Sequence, residues 1–455
     1  MKKLLFIAGI IISQSSTAQQ MLGIANSNFS GSAGMGLNPA SMLFMPYTWE
    51  ATLINLNISA DNNYLSYSEA KNSGQAEGIA TDNHGGLIAD DSPVDKSANF
   101  HVMLKTPSFI YKTKKMAFGF HTAFRNDGSI RNVPAPLAKY FYEGKDYAPL
   151  YGTSIDLQGL HGGAMTWAEA GISVGKVLNK DEENIWMVAV TLKYINAFQG
   201  AYLKVNSGSL NVVNDSIVYP DNLNAEFEYA VPNNPAYLIS YPPGQGAAFD
   251  FGVCYVSNPY DGKATLNDAL NKKYNYRLGI SLLDFGIVSF INNANKYHYN
   301  VRLSSDIRNI DSLIEAGHVG DKYMMGLPAA ISLQYDNCIV PRWFLNFTAV
   351  QRVPLLMAQV DRANNLSASL RYETTSFEIG VPYSLYDYSQ LRIGFALRYK
   401  VLFLGTDKLG TFVHVKDDQI SGADFYFGVK LTNFSFLKKP KARKPCPSLS
   451  KHDKG

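Results

Sequence analysis

The chain has 455 residues, with 41 Lys and Arg against 38 Asp and Glu, for a formal net charge of +3. Only 17% of residues are charged, below the roughly 25% usual in soluble domains, while aromatics reach 13%, with 28 Tyr and 25 Phe. Gly, Asn, Ser or a charge interrupts every apolar run before it reaches the about 20 residues of a spanning helix, and no nucleic-acid partner is expected.

The chain opens with Lys2 and Lys3, an apolar stretch from Leu4 to Ile12, and a polar run ending in Ser16-Thr17-Ala18. That is the layout of a secretory signal peptide, with cleavage expected after Ala18 and residues 1–18 removed. A buried N-terminal helix is the alternative. No cysteine follows the cleavage site, so a lipoprotein anchor is not expected. Residues 19–46 do not alternate and are rich in Gly, Ser and Met. They are either a flexible leader or a segment packed inside a barrel lumen.

From residue 47 onward, alternation with period two recurs. Met116, Phe118, Phe120, Thr122 and Phe124 share one face of a strand, and Ala117, Gly119, His121, Ala123 and Arg125 share the other. In Trp186, Val188, Val190, Leu192 and Tyr194 the apolar face is bracketed by aromatics, as at the two girdles of a membrane barrel. Leu391 to Phe403 reads as one strand, with Arg392, Arg398 and Lys400 on its polar side. The pattern returns at Ala168–Val177, Ile185–Asn196, Phe249–Val256, Tyr276–Leu283, Met325–Tyr335, Leu366–Tyr372 and Asp424–Thr432. Weaker versions lie near Trp49–Ile58, Phe100–Tyr111, Arg342–Val350 and Phe377–Tyr383. Segments of about 10 alternating residues separated by turns mark transmembrane β-strands. About thirteen are counted; fourteen closes a barrel with an even number, and twelve or sixteen stay open. A secreted soluble sandwich also alternates, but so many large apolar faces would crowd one shared core.

An apolar-Gly-apolar triplet repeats in mid-strand, as in Phe251-Gly252-Val253, Leu278-Gly279-Ile280 and Ile379-Gly380-Val381. On an inward face, glycine either prevents crowding or leaves room for a plug. Asp61–Lys96, Asn126–Trp167, Gln199–Gln245 and Gly286–Lys322 read as long loops on the extracellular side. Lys112–Lys115, Asn179–Asn184 and Asp336–Pro341 read as short periplasmic turns. Residues 437–455 read as a disordered basic periplasmic tail.

Chemistry-bearing motifs do not emerge. The eight His are dispersed, with no metal spacing, and there is neither a nucleophile elbow nor a P-loop. Cys254, Cys338 and Cys446 form no framework and are read as incidental. No enzyme activity, cofactor or metal is expected. His121, Arg125, Asp250, Arg277, Arg392, Arg398 and Lys400 are expected to line the lumen, while Asp284 and Asp407 are read as turn-formers.

The Gly36-Leu37-Asn38-Pro39-Ala40-Ser41 element, soon after a signal peptide, resembles the N-terminal hatch motif of FadL-like barrels. The mid-strand glycines are similar too. Leu404-Gly405-Thr406-Asp407-Lys408-Leu409 resembles barrels of the Bacteroidetes branch, closest to an uncharacterised family related to type IX secretion accessory barrels. The resemblance implies a fourteen-stranded, porin-like outer-membrane barrel with a luminal plug over residues 19–46, in which Asn38, Pro39, Ala40 and Ser41 form the hatch. It implies both termini in the periplasm, outer-membrane lipid around the wall, and passive transport of a hydrophobic small molecule. Two other readings stand: a scaffold or accessory barrel for surface or periplasmic protein partners, and a membrane-embedded enzyme such as a lipase barrel.

Overall fold

A computed structural model describes residues 21–67, 87–144, 146–180, 184–232, 241–257, 274–301, 317–356, 358–412 and 421–433. The expected signal peptide over residues 1–18, the expected basic tail over residues 437–455, and Cys446 lie outside these residues.

Fourteen antiparallel strands close on themselves. The first seven are β1 (Trp49–Asn62), β2 (Lys96–Lys112), β3 (Met116–Val133), β4 (His161–Lys180), β5 (Asn184–Val212), β6 (Gly244–Ser257) and β7 (Tyr276–Phe290). The others are β8 (Ala330–Val340), β9 (Trp343–Arg352), β10 (Asn365–Glu373), β11 (Phe377–Tyr386), β12 (Gln390–Ile393 and Phe395–Tyr399), β13 (Leu402–Thr406) and β14 (Gly422–Thr432). Each pairs with the next in sequence, and β14 returns to β1 from Glu50↔Thr432 to Asp61↔Gly422. Closure leaves no sheet edge, the condition for crossing a membrane with strands.

The faces are inverted relative to a soluble protein. Phe118, Phe120, Phe124, Ile172, Leu192, Phe251, Ile280 and Leu333 are exposed on the outside, with Ile172 at 65% and Leu192 at 64%. On the inside of β1, Glu50, Thr52, Asn55, Asn57, Ser59 and Asp61 are all buried. Such a surface is stable only in lipid, so the protein is an integral outer-membrane-type barrel. No helix among the described residues is long and apolar enough to span a membrane. Near the end where β1 starts and β14 stops, Trp186, Tyr255, Tyr276, Tyr335 and Phe347 run across five successive strands with centroid spacings of 4.9 to 6.3 Å. This row is one aromatic girdle.

Several boundaries differ from the sequence reading. The run Leu391 to Phe403 is not one strand. Lys400, with φ 52°, turns the chain between β12 and β13, and Phe403 is consequently buried inside rather than aligned with exposed Leu391. Much of the expected loop sequence is also strand. β3 continues to Val133, and β5 runs past its last partner on β6, Ala197, to Val212. Beyond that rim β5 pairs with Val218–Ala230, which pairs in turn with Ala294–Val301, so a β-ribbon rises from the end opposite the start of β1. Polar composition hid it because neither face of a ribbon in water needs to be apolar throughout.

Residues 21–47 run inside the barrel as short helical turns and bends, almost wholly buried. Leu22 N donates to Asp407 (3.1 Å), Ser27 to Glu378 (2.8 Å), and Asn28 to Glu373 (2.8 Å). Ser32 N donates to Glu50 (2.7 Å). Nearest the start of β1, Phe29, Met42, Met45 and Tyr47 pack with inward Ile110, Met187, Cys254, Tyr274 and Phe344 into an apolar layer. The buried thiols of Cys254 and Cys338 sit in this layer. The mid-strand glycines serve this packing at named points. A Cβ on Gly252 would collide with the Asn38 carboxamide and lie 2.8 Å from Pro39 Cδ, and one on Gly380 would lie 2.5 Å from the Gly23 carbonyl. Gly171 and Gly428 instead make room for wall side chains, His121 and Phe403. Both roles weighed from sequence therefore occur.

Gly252→Val is expected to dislodge residues 21–47 without unravelling the wall, at about 1–3 kcal/mol for overpacking. Limited proteolysis should newly cut the N-terminal segment, while heat-modifiable migration on gels, diagnostic of an intact barrel, persists. The same change at outward-facing Leu192 should leave the segment protected.

Candidate functional site

The inward face is built from charge, and the charges are gathered in three clusters. The first crosses the lumen at mid-height. Asp284 receives Arg125 (2.9 Å), Lys193 (2.6 Å) and Arg362 (2.6 Å), while Lys193 also holds Asp250 at 2.7 Å and Arg125 holds Asp127 at 2.9 Å. The Arg125 guanidinium lies 4.6 Å from the ring centre of buried Trp167, whose Nε1 donates to Glu169 at 3.0 Å. His121 faces Glu169 at 3.4 Å. The second cluster lies nearer the start of β1. There Arg371 bridges Asp336 (3.1 Å) and Glu373 (2.9 Å), Arg398 holds Glu378 (2.8 Å), and Arg277 reaches both Asp336 (3.4 Å) and the Asn26 carbonyl (2.7 Å). In the third, Arg392 pairs with Asp61, and Asp424 accepts the backbone N–H groups of Asp407 (2.8 Å) and Lys408 (2.8 Å).

Alternation does this work. Period two delivers every second residue of a wall strand to the lumen, and long basic side chains from one strand meet carboxylates from others far away in sequence. Charges taken out of water are tolerable only when paired and hydrogen-bonded.

The far end is closed by a loop between β9 and β10. Gln359 pairs with Gly326 of the wall, and Val360 is buried among Met165, Trp167, Phe290 and Met325. Arg362 descends from this loop to Asp284. Asp361 meets His161 (3.3 Å), Arg131 (3.6 Å) and Arg352 (3.8 Å). Burial pushes the Asp361 carboxyl up, but hydrogen bonds from His161 and Gln359, with the Arg352 and Arg131 charges, outweigh it and hold it below its ordinary value. Such a depressed carboxylate contributes above its unfolded pKa of about 3.9 and loses the contribution as pH falls through the folded value.

Between this loop and residues 21–47 lies a cavity of about 140 Å³. Its lining mixes apolar Met21, Met35, Met103 and Leu283 with Lys105, His121, Arg125 and Lys193. Phe120, from the lipid-facing side of β3, also reaches it. The wall is irregular here. Leu53 and Ile54 of β1 have no ladder partner on β2, where Thr106 and Pro107 stand opposite. The β2–β3 register shifts between Thr106 and Phe109, and the β14–β1 register shifts between Thr52 and Ile54. Pro107 has no N–H to give to a ladder, so pairing fails around it.

The profile described as "Family of unknown function (DUF5723)" matches residues 39–407. The chain belongs to DUF5723. No curated protein matches it. Solved structures of FadL-family outer-membrane barrels are neighbours of this DUF5723 chain. The TodX monoaromatic hydrocarbon channel, a deltaS2 mutant, aligns with 11% identity and a TM-score of 0.41, covering 92% of this chain and 94% of that one. The Ralstonia pickettii toluene transporter TbuX gives 8% identity and 0.32, covering 89% and 94%. A Pseudomonas aeruginosa FadL homologue gives 11% and 0.30, covering 92% and 98%.

In this DUF5723 barrel, His121, Arg125, Asp250, Arg277, Arg392 and Arg398 are all buried on the inward face. Lys400 is not among them; it is exposed in its turn because the chain reverses there. Asn38, Pro39 and Ala40 are buried against β6 and β7. Asn38 caps the short turn after it through Ala40 N (2.9 Å) and donates to the Val253 carbonyl and Gln334 (both 3.1 Å). Ser41 is half-buried in the same turn. Asp284 and Asp407 correct the sequence reading, since both are fully enclosed: Asp284 pairs with three cations, and Asp407 accepts from Leu22 N and the Tyr426 hydroxyl. Asp284 has the left-handed backbone, φ 52°, that turn chemistry suggested, yet its side chain is the hub of the first cluster. Glu169, Lys193, Arg371 and Glu378 were missed, although each falls on the inward parity of a recognised strand, and Asp336 was missed because it was read as the start of a turn, whereas β8 continues through it to Val340.

Asp284→Ala leaves three cations without their shared partner and should lower unfolding stability by about 3–5 kcal/mol. Urea titration of the detergent-solubilised barrel checks this; Lys114→Ala, at an exposed turn, should change nothing measurable. Asp361→Asn is expected to free the inward loop at neutral pH, giving trypsin access at Arg352 or Arg362; the intact protein should show such access only in strong acid.

Proposed function

We propose that the protein is a plugged outer-membrane barrel that admits a small hydrophobic solute sideways from the membrane, with both termini in the periplasm. In this reading residues 19–46 are the plug, and Asn38, Pro39, Ala40 and Ser41 are the hatch that seats it on β6 and β7. A buried apolar layer lies across the lumen at one end and the inward loop packs on the wall at the other, which favours a sideways over an axial route. The carrying observation is the set of interrupted ladders around Pro107 with a cavity behind them that reaches both lipid-facing Phe120 and plug residue Met35. A solute dissolved in the outer leaflet would meet the wall where its hydrogen bonding is weakest. The charged lining of the cavity keeps water and ions from following without a partner, and passage beyond it requires the plug to shift.

Uptake of the hydrophobic dye N-phenylnaphthylamine tests this. Cells producing the barrel should take up the dye faster than cells without it, and Met35→Trp, which fills the cavity from the plug side, should bring the rate down towards that of cells without the barrel. Deleting residues 19–46 should raise it. Equal uptake with and without the barrel would sink the transport reading.

The ribbon supports a second reading, an accessory barrel presenting Gln199–Val212 and Val218–Ala230 to a surface protein. Co-purification that depends on the ribbon while dye uptake is absent would favour it.

A further inference from the structure

The ribbon beyond the rim carries a feature that solute passage through the wall does not use. Cross-strand register sets Phe227 opposite Tyr297, Tyr229 opposite Asn295, and Ala225 opposite Tyr299. Alternation then brings Phe227, Tyr229, Asn295, Tyr297 and Tyr299 onto one face. Tyr229 and Tyr297 are 5.9 Å apart with planes 5° apart, Tyr297 and Tyr299 are 6.1 Å and 3°, and Phe227 lies 6.1 Å from Tyr297. The rings thus form a row of like orientation, with Tyr229 and Tyr299 partly exposed.

At the Tyr229 end the row opens into a cleft of about 420 Å³, walled by Tyr229, Val231 and Ile291 and edged by Asn293, Asn295 and Asp321. Its floor is the tight turn at Asn293, with φ 51°. The volume falls within the range of small-ligand sites. Asp321 projects into water, 79% exposed, and is steadied by His318 at 2.9 Å; His318 in turn sets its edge 5.4 Å from Tyr297. No Lys or Arg is among the described residues that line the cleft.

From this arrangement we infer that the Tyr229–Asn295–Asp321 cleft binds a neutral saccharide. A sugar ring offers a face of C–H groups that stacks on an aromatic ring, and a rim of hydroxyls that both donate and accept. Tyr229, held in place by the row behind it, supplies the platform. Carboxamides at Asn293 and Asn295 and the Asp321 carboxylate supply the rim partners, and Asp321 disfavours an acidic sugar. An interfacial girdle would account for the tyrosines alone. It does not account for Asn295 standing within their row, nor for the position past the last β5–β6 pair, beyond the lipid-facing wall. The saccharide is either a free glycan or the headgroup of an outer-leaflet glycolipid, and both present the same chemistry.

The full barrel, purified in an amine-oxide detergent so that no sugar-headed detergent competes, is titrated calorimetrically with maltohexaose, xylohexaose and chitohexaose. In parallel it is floated with vesicles containing lipopolysaccharide. Binding of any of these, weakened about tenfold or more by Tyr229→Ala and by Asn295→Ala and unchanged by lipid-facing Tyr383→Ala, is the expected result. Heat-modifiable migration confirms that each variant is folded, and Asn295→Asp provides a milder change should Tyr229→Ala fail that check. Binding only to the vesicles assigns the site to a glycolipid headgroup. No binding in either arm, or equal binding by all folded variants, overturns the inference. Dye uptake is independent of this site, so failure here leaves the transport reading standing.

Discussion

Once a strand wall is surrounded by lipid, every polar group it owns must be satisfied within the protein, and here the wall sends its charges inward. Those charges then need partners in a space about as dry as a protein core. Pairing them across the lumen is what organises the rest of the molecule. A lone buried ion costs several kcal/mol, whereas a hydrogen-bonded pair is roughly neutral against an apolar filling. The clusters around Asp284, around Asp336 with Glu378, and around Asp61 with Asp424 are therefore better seen as devices of specificity than as reservoirs of stability. They allow one arrangement of strands and loop, because a register slip of one residue would send each of these charges into lipid.

The same constraint explains how residues 21–47 are held. Wall carboxylates already engaged with Arg still have lone pairs to fill, and the N-terminal segment fills them with neutral donors: Ser27 on Glu378 and Asn28 on Glu373, while Leu22 N donates to buried Asp407. The segment carries no formal charge from Met21 to Tyr47. It can therefore leave or shift without stranding an ion of its own, at the cost of hydrogen bonds worth about 0.5–3 kcal/mol each. Arg398 over Phe29 at 4.3 Å and Arg277 over Phe44 at 5.0 Å add contacts of the same moderate kind. The bonds that tie the segment are charge-assisted through the wall, as in Arg277 on the Asn26 carbonyl and Glu378 accepting from Ser27, but each of these ions keeps a wall partner as well.

How much of this the amino-acid order reveals depends on the range of the signal. Alternation is local, so β3, β5 and their neighbours are legible, together with the inward parity of His121, Arg125, Asp250 and Arg392. Partnership is not local. Arg125 and Asp284 are 159 positions apart and Lys193 and Asp284 are 91, and nothing at Asp284 itself separates a hub from a turn. Its flanking Gly286 and left-handed backbone pointed to the turn alone. Lys400 failed for the converse reason, since a reversal of only two residues can hide inside a run that keeps alternating. Glycine is legible as an exception but ambiguous in purpose, and only the packing of Asn38 and Pro39 on Gly252 decides it. The likeness of two short motifs to FadL-like barrels placed Asn38 and Asp407 in view, and the structure gives them related tasks, at opposite ends of the same buried segment.

The break around Pro107 bears on the proposed function because a ladder is interrupted there beside the cavity. Lost ladder bonds in lipid must be replaced or left unmet, and a proline in a central strand is disfavoured for that reason. Its retention beside a cavity implies a compensating use. The residues behind it grade from Phe120 at the lipid face, through His121 and Lys105, to Met35 on the plug. In the proposed transport reading, a wall interrupted at this level and backed by a small amphipathic space and an uncharged buried segment would separate entry from exit, with the solute arriving from lipid.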